Sequence, residues 1–251
     1  MDRKFYKFNV FVYKYLKEAH SQSEEEGSAV GATGDALVTL NNLISIFLRR
    51  LVRQCNNIVT ARSPARKILT HRSIELANAL VVSNQDLKER LEQAGSDAVA
   101  KFEASLVPAK KSKSAKGKNV EMKRKYRHER AGLIFSVSRV ESIIMENMVL
   151  ERKSSKSAVF ATALVESLMG KIIDQAVDLV REDKRSRITT KHILRVIRSD
   201  GELDALFGGV VLSGGAYYNR YLYHSYQEEV SKREDLDENG EEVGDESEDD
   251  E

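Results

Sequence analysis

The sequence predicts an all-α protein in which one short–long–short pattern of helices occurs twice. Two long stripes of apolar residues recur at steps of three or four, which is the spacing of one face of an α-helix. A shorter amphipathic segment precedes each stripe, and a basic loop and another short helix follow it. Strand signals are weak, because the best candidate is the short run Val210-Val211-Leu212 between glycine pairs.

The first helical unit is predicted within residues 1–106. Its long helix follows an apolar stripe of about seven turns, and a shorter helix over residues 10–19 precedes it. Thr70 is placed to cap the third, short helix of the unit. The stripe consists of Leu37, Leu40, Ile44, Phe47, Leu51, Cys55 and Ile58.

The second unit is predicted within residues 131–225 and repeats the first. A short helix over residues 136–145 precedes a long helix, for which Ser157 is the expected N-cap. Residues 188–193 (ITTKHI) match residues 69–74 (LTHRSI), so Thr189 is placed like Thr70 to cap a third helix. The second stripe consists of Phe160, Leu164, Leu168, Ile172, Ala176 and Leu179.

Neither unit is expected to form a closed core alone. A helix of about 40 Å with two short neighbours leaves much of its apolar stripe uncovered. The economical solution is that the two long helices cross and cover each other's stripes. The chain is therefore predicted to be an intramolecular pseudo-dimer.

The charge of the chain is segregated, although its formal net charge is only +1. Residues 226–251 contain 14 acidic and two basic side chains and carry −12, so residues 1–225 carry +13. This acidic tail is predicted to be disordered, and residues 107–130 are predicted to be a flexible basic linker, because neither can bury enough apolar surface. A basic body with an acidic tail is typical of proteins that bind polyanions, but a solvated tail without a role is equally compatible with the composition.

Several classes of function are disfavoured by the composition. The single cysteine, Cys55, excludes an internal disulfide framework and a thiolate zinc cluster. The five histidines lack the spacing of metal ligands, and no Ser/His/Asp set or phosphate loop emerges. No run approaches the roughly 20 apolar residues of a membrane helix. We expect no cofactor, no metal, no membrane association and no enzymatic activity.

The second unit resembles the core of histone 2A. The resemblance begins at residues 130–140 (RAGLIFSVSRV) and continues through Glu151-Arg152, Val165-Glu166 and residues 183–188 (DKRSRI). It then runs through residues 197–200 and 206–210 to a stretch ending near Asn219 that resembles the docking segment of the family. About 90 residues match in order, which makes the resemblance highly specific.

The first unit resembles histone 2B more distantly. The resemblance lies in residues 12–17 (VYKYLK), in residues 69–74 and in residues 95–102 (GSDAVAKF), which are similar to the extra C-terminal helix of that family. A 2B–2A fusion in this order is similar to the histone doublets of marseillevirus-like giant viruses. The resemblance implies two histone folds in one chain that form an intramolecular handshake pseudo-dimer.

The resemblance also implies a function and partners. The function is that of a structural chromatin protein that wraps and compacts DNA, largely independently of sequence, as the 2B–2A half of a nucleosome-like particle. The implied partners are double-stranded DNA and a complementary histone 4–histone 3-type doublet or tetramer. The implied location is viral chromatin, in the virion and at the site of viral genome replication in the host.

The family further implies which residues contact DNA. Arginines in the loops of histone pairs enter the minor groove where it faces inward, and residues at helix starts contact phosphates. A single arginine is more often a solvated surface charge, but matched loop positions in both units favour the functional interpretation. The candidate DNA-binding residues are Arg66, Lys67, Thr70, Arg130, Arg139, Arg152, Lys184, Arg185, Ser186, Arg187 and Thr189.

The resemblance implies an acidic patch that is altered in this chain. In the family, the 2A and 2B histones together present carboxylates to arginine-anchored partners. Lys171, Gly201 and Ala94 stand where carboxylates are expected, so a weakened patch is predicted. The candidate patch residues are Asp86, Glu92, Glu166, Asp174, Asp200 and Glu202.

Two further departures concern loops and aromatic residues. The first loop, over residues 21–34, is acidic and glycine-rich and lacks the basic residues expected for a DNA contact. Five tyrosines lie between residues 217 and 226, where packing against a partner histone is favoured over base stacking.

Two alternatives to a packaging protein remain open on the sequence. A histone-fold regulatory subunit would read DNA sequence, whereas a packaging protein binds unrelated sequences with similar affinity. A histone chaperone would depend on its acidic tail, so deletion of residues 228–251 would abolish its activity.

Overall fold

The computed structural model describes residues 8–20, 30–61, 68–106, 126–150 and 152–208. Regular structure within these ranges is mostly helical and includes four two-residue strands. In chain order the elements are α1 (Asn9–His20), β1 (Gly31–Ala32), α2 (Gly34–Thr60), β2 (Ile68–Leu69), α3 (His71–Val81), α4 (Gln85–Leu106), α5 (Arg127–Ala131), α6 (Val137–Asn147), β3 (Arg152–Lys153), α7 (Ser155–Glu182), β4 (Arg187–Ile188), α8 (Thr190–Ser199) and α9 (Gly201–Phe207).

The repeated short–long–short pattern is confirmed. Helices α1, α2 and α3 form the first set, and α6, α7 and α8 form the second. The expected N-cap of α7 is wrong, because Ser154 occupies that position and its hydroxyl accepts a hydrogen bond from the backbone N–H of Lys156. Ser157 is buried in the first turn instead, and its hydroxyl donates to the carbonyl of Ser154.

Helix α7 is the central helix of the molecule. All eight residues from 158 to 165 are buried, so its first half is covered on every side rather than along one stripe. Helices α3 and α4 of the first unit and α6 and α8 of the second pack around it. By contrast, α2 alternates a buried apolar face with exposed residues such as Arg49, Arg50 and Arg53.

The two units share one hydrophobic core. Helix α2 of the first unit packs against α6, α7 and α8 of the second, and a single cluster of buried side chains runs through both. Phe8 and Phe11 of the first unit meet Phe135 of the second, with ring centroids 5.9 and 6.0 Å apart. The chain is therefore an all-α intramolecular pseudo-dimer, as predicted.

The strands exchange partners between the units. Strand β1 of the first unit pairs in parallel with β4 of the second, with Gly31 opposite Arg187. Strand β2 of the first unit pairs in parallel with β3 of the second, with Ile68 opposite Arg152. Each first loop thereby lies beside the second loop of the other unit.

Part of the predicted basic linker is helical. Residues 127–130 lie in α5, which packs against α4 and ends at the buried residue Ala131. The helix ends at Gly132, whose φ of 67° lies in the left-handed region that glycine adopts without steric cost. Other predictions fall outside the described residues: those for residues 107–125, the docking segment and tyrosines from 209 onward, the acidic tail, most of the loop 21–34, and Arg66 and Lys67.

A buried amide in α3 gives a prediction about stability. Asn78 is fully buried, and neither its Oδ1 nor its Nδ2 has a hydrogen-bond partner among the described residues. An unsatisfied buried polar group costs about 1–3 kcal/mol, and leucine has nearly the same shape. We expect Asn78→Leu to raise the free energy of unfolding in urea by about that amount. The exposed control Asn57→Leu is expected to change it little, and a less stable Asn78→Leu protein would contradict the prediction.

Candidate nucleic-acid interface

The pairing of β1 with β4 creates a first loop edge, defined here as residues 30–33 together with 183–189. The backbone N–H groups of Gly31 and Thr33 donate to the carbonyls of Ser186 and Ile188 at 2.9 and 3.0 Å. These bonds fix the basic loop that follows α7. Its candidate DNA-binding residues Lys184, Arg185, Ser186 and Arg187 are all exposed.

The tight turn of this loop follows from its backbone. Lys184 has a φ of 51°, an uncommon conformation for a residue other than glycine. The N–H groups of Lys184 and Arg185 donate to the carbonyls of Arg181 and Val180, which satisfies carbonyls at the end of α7. The turn reverses the chain at once, so that basic side chains stand at the end of the central helix.

The pairing of β2 with β3 creates a second loop edge, defined as residues 68–70 together with 152–154. The N–H of Ser154 donates to the carbonyl of Leu69 at 2.9 Å and extends the strand pair. Arg152 and Lys153 are exposed here, next to the half-buried Thr70. Arg152 and Thr70 are candidate residues predicted from the sequence, whereas the neighbouring Lys153 is not among them.

Both candidate threonines occupy the N-cap positions predicted for them. Thr70 precedes α3, and its hydroxyl lies 3.1 Å from that of Ser73. Thr189 precedes α8, and its backbone N–H donates to Nδ1 of the buried His192 at 3.0 Å. Because Nε2 of His192 lies 3.2 Å from Oδ2 of Asp183, this imidazole joins α8 to the basic loop.

A third basic region lies between α5 and α6. It contains a cavity of about 520 Å³, lined by aromatic, hydroxyl and basic residues that include Arg127, His128 and Arg130. Arg139, in the first turn of α6, places its guanidinium 5.1 Å from the ring centroid of Phe11. This contact is a cation–π interaction between the units and restricts the direction of the Arg139 side chain.

A carboxylate that sequence reasoning missed lies at the same region. Glu141 of α6 forms ion pairs with Arg127 of α5 and with Lys153 of β3. Burial by itself would raise the pKa of Glu141, but hydrogen bonds from Arg127 and Lys153 outweigh it and lower the pKa. A charge pattern between separate segments carries no local signal, so only the fold, which brings Arg127 and Lys153 to Glu141, reveals it.

Two of the candidate acidic-patch residues are bound to a lysine. Nζ of Lys171 lies 2.7 Å from Oδ2 of Asp200 and also contacts Oε2 of Glu202. Burial by itself would lower the pKa of Lys171, but the hydrogen bonds to both carboxylates outweigh it and raise the pKa. Burial by itself would raise the pKa of Asp200, but hydrogen bonds, of which the one from Lys171 is the strongest, outweigh it and lower the pKa. Asp200 also caps α9 by accepting from the N–H of Glu202 at 2.9 Å.

Two further patch candidates also have internal partners. Oε2 of Glu166 accepts hydrogen bonds from the N–H groups of Ile134 and Phe135, each at 2.8 Å, and its burial raises its pKa. Asp174 accepts from the hydroxyl of Tyr15, whose pKa burial and this carboxylate raise to about 12. The remaining candidates are the exposed Asp86 and the half-buried Glu92 on α4.

Comparison with known proteins identifies the fold. Over 89 residues the chain is 38% identical to histone macroH2A1.1 of Capsaspora owczarzaki. The fold is a histone fold. The match covers 36% of this chain and 24% of the relative, so the chain spans about a quarter of the length of that protein. The 89 matched residues are about as long as one of the two helical units, and the match supports a 2A-type histone fold. No protein-family model matches the chain.

Among the helices of the described ranges, none is both long and apolar enough to cross a membrane. Within the same ranges, no three side chains of His, Cys, Asp or Glu are grouped in a way that could hold a metal ion.

Proposed function

We propose that this chain is a structural chromatin protein that wraps and compacts DNA as the 2B–2A half of a nucleosome-like particle. The observation that carries the proposal is the exchanged pairing of the loops. It gathers Arg152 at one loop edge and Lys184, Arg185 and Arg187 at the other, all exposed and all fixed by backbone hydrogen bonds. Two fixed cationic edges separated by a rigid helical body suit a bent duplex better than a small ligand.

The physical chemistry of these residues favours binding to the DNA backbone. Lysine and arginine neutralise phosphates and release counterions, which gives sequence-independent and steeply salt-dependent binding. The helix starts at Thr70 and Thr189 add the partial positive charge of a helix N-terminus, which attracts phosphates. Arginines inserted into the minor groove are the contacts by which histone octamers hold DNA without reading bases.

The proposal includes a histone partner of the complementary type. On α3, Leu76 and Leu80 are 43% and 62% exposed and stand one turn apart on the same face. Exposed apolar side chains so close together are a typical feature of an association surface. A histone 4–histone 3-type doublet or tetramer is the partner that completes a nucleosome-like particle. By resemblance to the giant-virus doublets, the chromatin is that of a viral genome.

Reconstitution tests this proposal directly. The full chain is assembled on DNA with complementary histones and digested with a nuclease. We expect a discrete protected fragment near or somewhat below the ~146 bp protected by a histone octamer. Assembly on two unrelated DNA sequences should protect equal lengths. A smear of fragments, or protection confined to one sequence, would overturn the proposal.

We further propose that the acidic patch is weak because its carboxylates are engaged within the chain. Asp200 and Glu202 are bound to Lys171, Glu166 to backbone N–H groups and Asp174 to Tyr15. An arginine-anchored ligand must therefore displace an internal partner at four of the six candidate positions.

This interpretation predicts the effect of removing Lys171. An arginine-anchored peptide is expected to bind the unmodified chain poorly, and Lys171→Gln is expected to tighten binding about tenfold, because each freed charged hydrogen bond contributes about 1.5 kcal/mol or more. Titration calorimetry measures both affinities. The exposed Lys191→Gln supplies a control with the same loss of charge, and tight binding by the unmodified chain would contradict the prediction.

A further inference from the structure

The ion-pair cluster around Glu141 lies among the candidate DNA-binding residues. Arg127 precedes Arg130 by three residues in α5, and Lys153 directly follows Arg152 in β3. Glu141 is two residues after Arg139 in α6. The cluster therefore connects the second loop edge to the basic region between α5 and α6.

The contacts in the cluster are of the kind that arginine and lysine also make with a phosphate. Nη1 and Nη2 of Arg127 donate to Oε1 and Oε2 of Glu141 at 3.2 and 2.5 Å. Nζ of Lys153 lies 3.1 Å from Oε1. Arginine holds carboxylates and phosphates with the same two parallel hydrogen bonds, so the Glu141 carboxylate takes the place that a phosphate would take.

The carboxylate of the cluster is more buried than its two cations. The side chain of Glu141 is 12% exposed, whereas those of Arg127 and Lys153 are 36% and 35% exposed. The cations thus reach the surface while their acceptor stays below it. A partly exposed cation with a shielded carboxylate partner is less available to an external phosphate than the same cation alone.

We propose that Glu141 is an internal competitor of DNA, which holds Arg127 and Lys153 and removes both from the set of cations that neutralise phosphates. This inference rests on the proposed function, since it concerns the same DNA-binding surface. It assigns Glu141 a specific effect: it lowers the affinity of the chain for DNA without touching DNA. Packaged DNA is correspondingly easier to release.

The salt dependence of DNA binding tests the inference with the full chain and a short DNA duplex. Each phosphate contact adds about 0.9 to the slope of log affinity against log salt concentration. Glu141→Gln is expected to steepen the slope by about 0.9 to 1.8 and to raise the affinity at 0.1 M salt by about 8- to 60-fold. Asp178→Asn, at an exposed carboxylate of α7, makes the same change of net charge and should leave the slope unchanged.

A second set of variants tests the same point with Glu141 in place. Because Arg127 and Lys153 are already held, replacing both by glutamine should change the slope by less than about 0.3, whereas Arg152→Gln should flatten it by about 0.9. The inference is overturned if the Arg127→Gln/Lys153→Gln protein loses as much slope per residue as Arg152→Gln, or if Glu141→Gln leaves the slope unchanged. A chain without salt-dependent DNA binding would instead overturn the proposed function.

Discussion

Replacing Gly95 by alanine is expected to lower the free energy of unfolding by about 3 kcal/mol, because α4 and α7 touch at this glycine. A Cβ added at Gly95 would lie 2.5 Å from Cε2 of Phe160 and 2.8 Å from two further ring atoms. Phe160 is 1% exposed and belongs to the shared core, so its ring cannot turn into solvent to avoid the clash. The clash outweighs the gain of about 1 kcal/mol that alanine brings to a helix.

Urea unfolding measures this loss, and another glycine supplies the control. Gly201, at the start of α9, has no atom within 4 Å of an added Cβ, so Gly201→Ala should be neutral or slightly stabilising. A smaller side chain at position 160 should relieve the clash. Gly95→Ala is therefore expected to lower the free energy of unfolding by less in the Phe160→Leu protein than in the parent. Equal stability of the Gly95→Ala protein and the parent would contradict the prediction.

Replacing Arg152 and Arg187 together by alanine is expected to flatten the slope of log affinity for DNA against log salt concentration by about 1.8. The affinity at 0.1 M salt is expected to fall by about 30- to 60-fold. Each arginine is exposed at a different loop edge, and each is held in a strand pair between the units. Loss of one arginine therefore leaves the other edge intact, and the two effects should add. In the reconstituted particle, the double variant should give a shorter nuclease-protected fragment.

The control for this experiment removes the same charge elsewhere. Lys88 and Arg90 lie on α4, which contributes no residue to either loop edge, and their joint replacement by alanine should leave the slope nearly unchanged. If the Arg152→Ala/Arg187→Ala protein keeps both the slope and the protected length of the parent, the assignment of these arginines to DNA is wrong.

Much of the fold could be predicted from the sequence because its signals are local. The steps of three and four in the stripe from Leu37 to Ile58 reflect the geometry of a single helix, and α2 follows it closely. The repeated motif around Thr70 and Thr189 likewise placed both threonines at helix starts. Arg152 and Arg187 were found because a resemblance to histones assigned them positions in loops.

Other features depend on which segments of the chain pack together, and the sequence predicted these features wrongly or not at all. Ser157 was expected at the start of α7, but the pairing of β3 with β2 ends at Ser154, and the helix begins directly after it. The prediction of one apolar stripe on α7 was too narrow, because helices from both units cover that helix. Residues 127–130 resemble the linker in composition, yet packing against α4 makes them helical.

The sequence by itself determined the two long helices with their short neighbours, the two-unit organisation and the surplus of positive charge outside the acidic tail. Only the tertiary structure decided how that charge is distributed between external and internal partners. It binds Lys171 to Asp200 and Glu202, and it binds Arg127 and Lys153 to Glu141. The physical reason is that helix periodicity acts over a few residues, whereas an ion pair forms between any two side chains that the fold brings within a few ångströms.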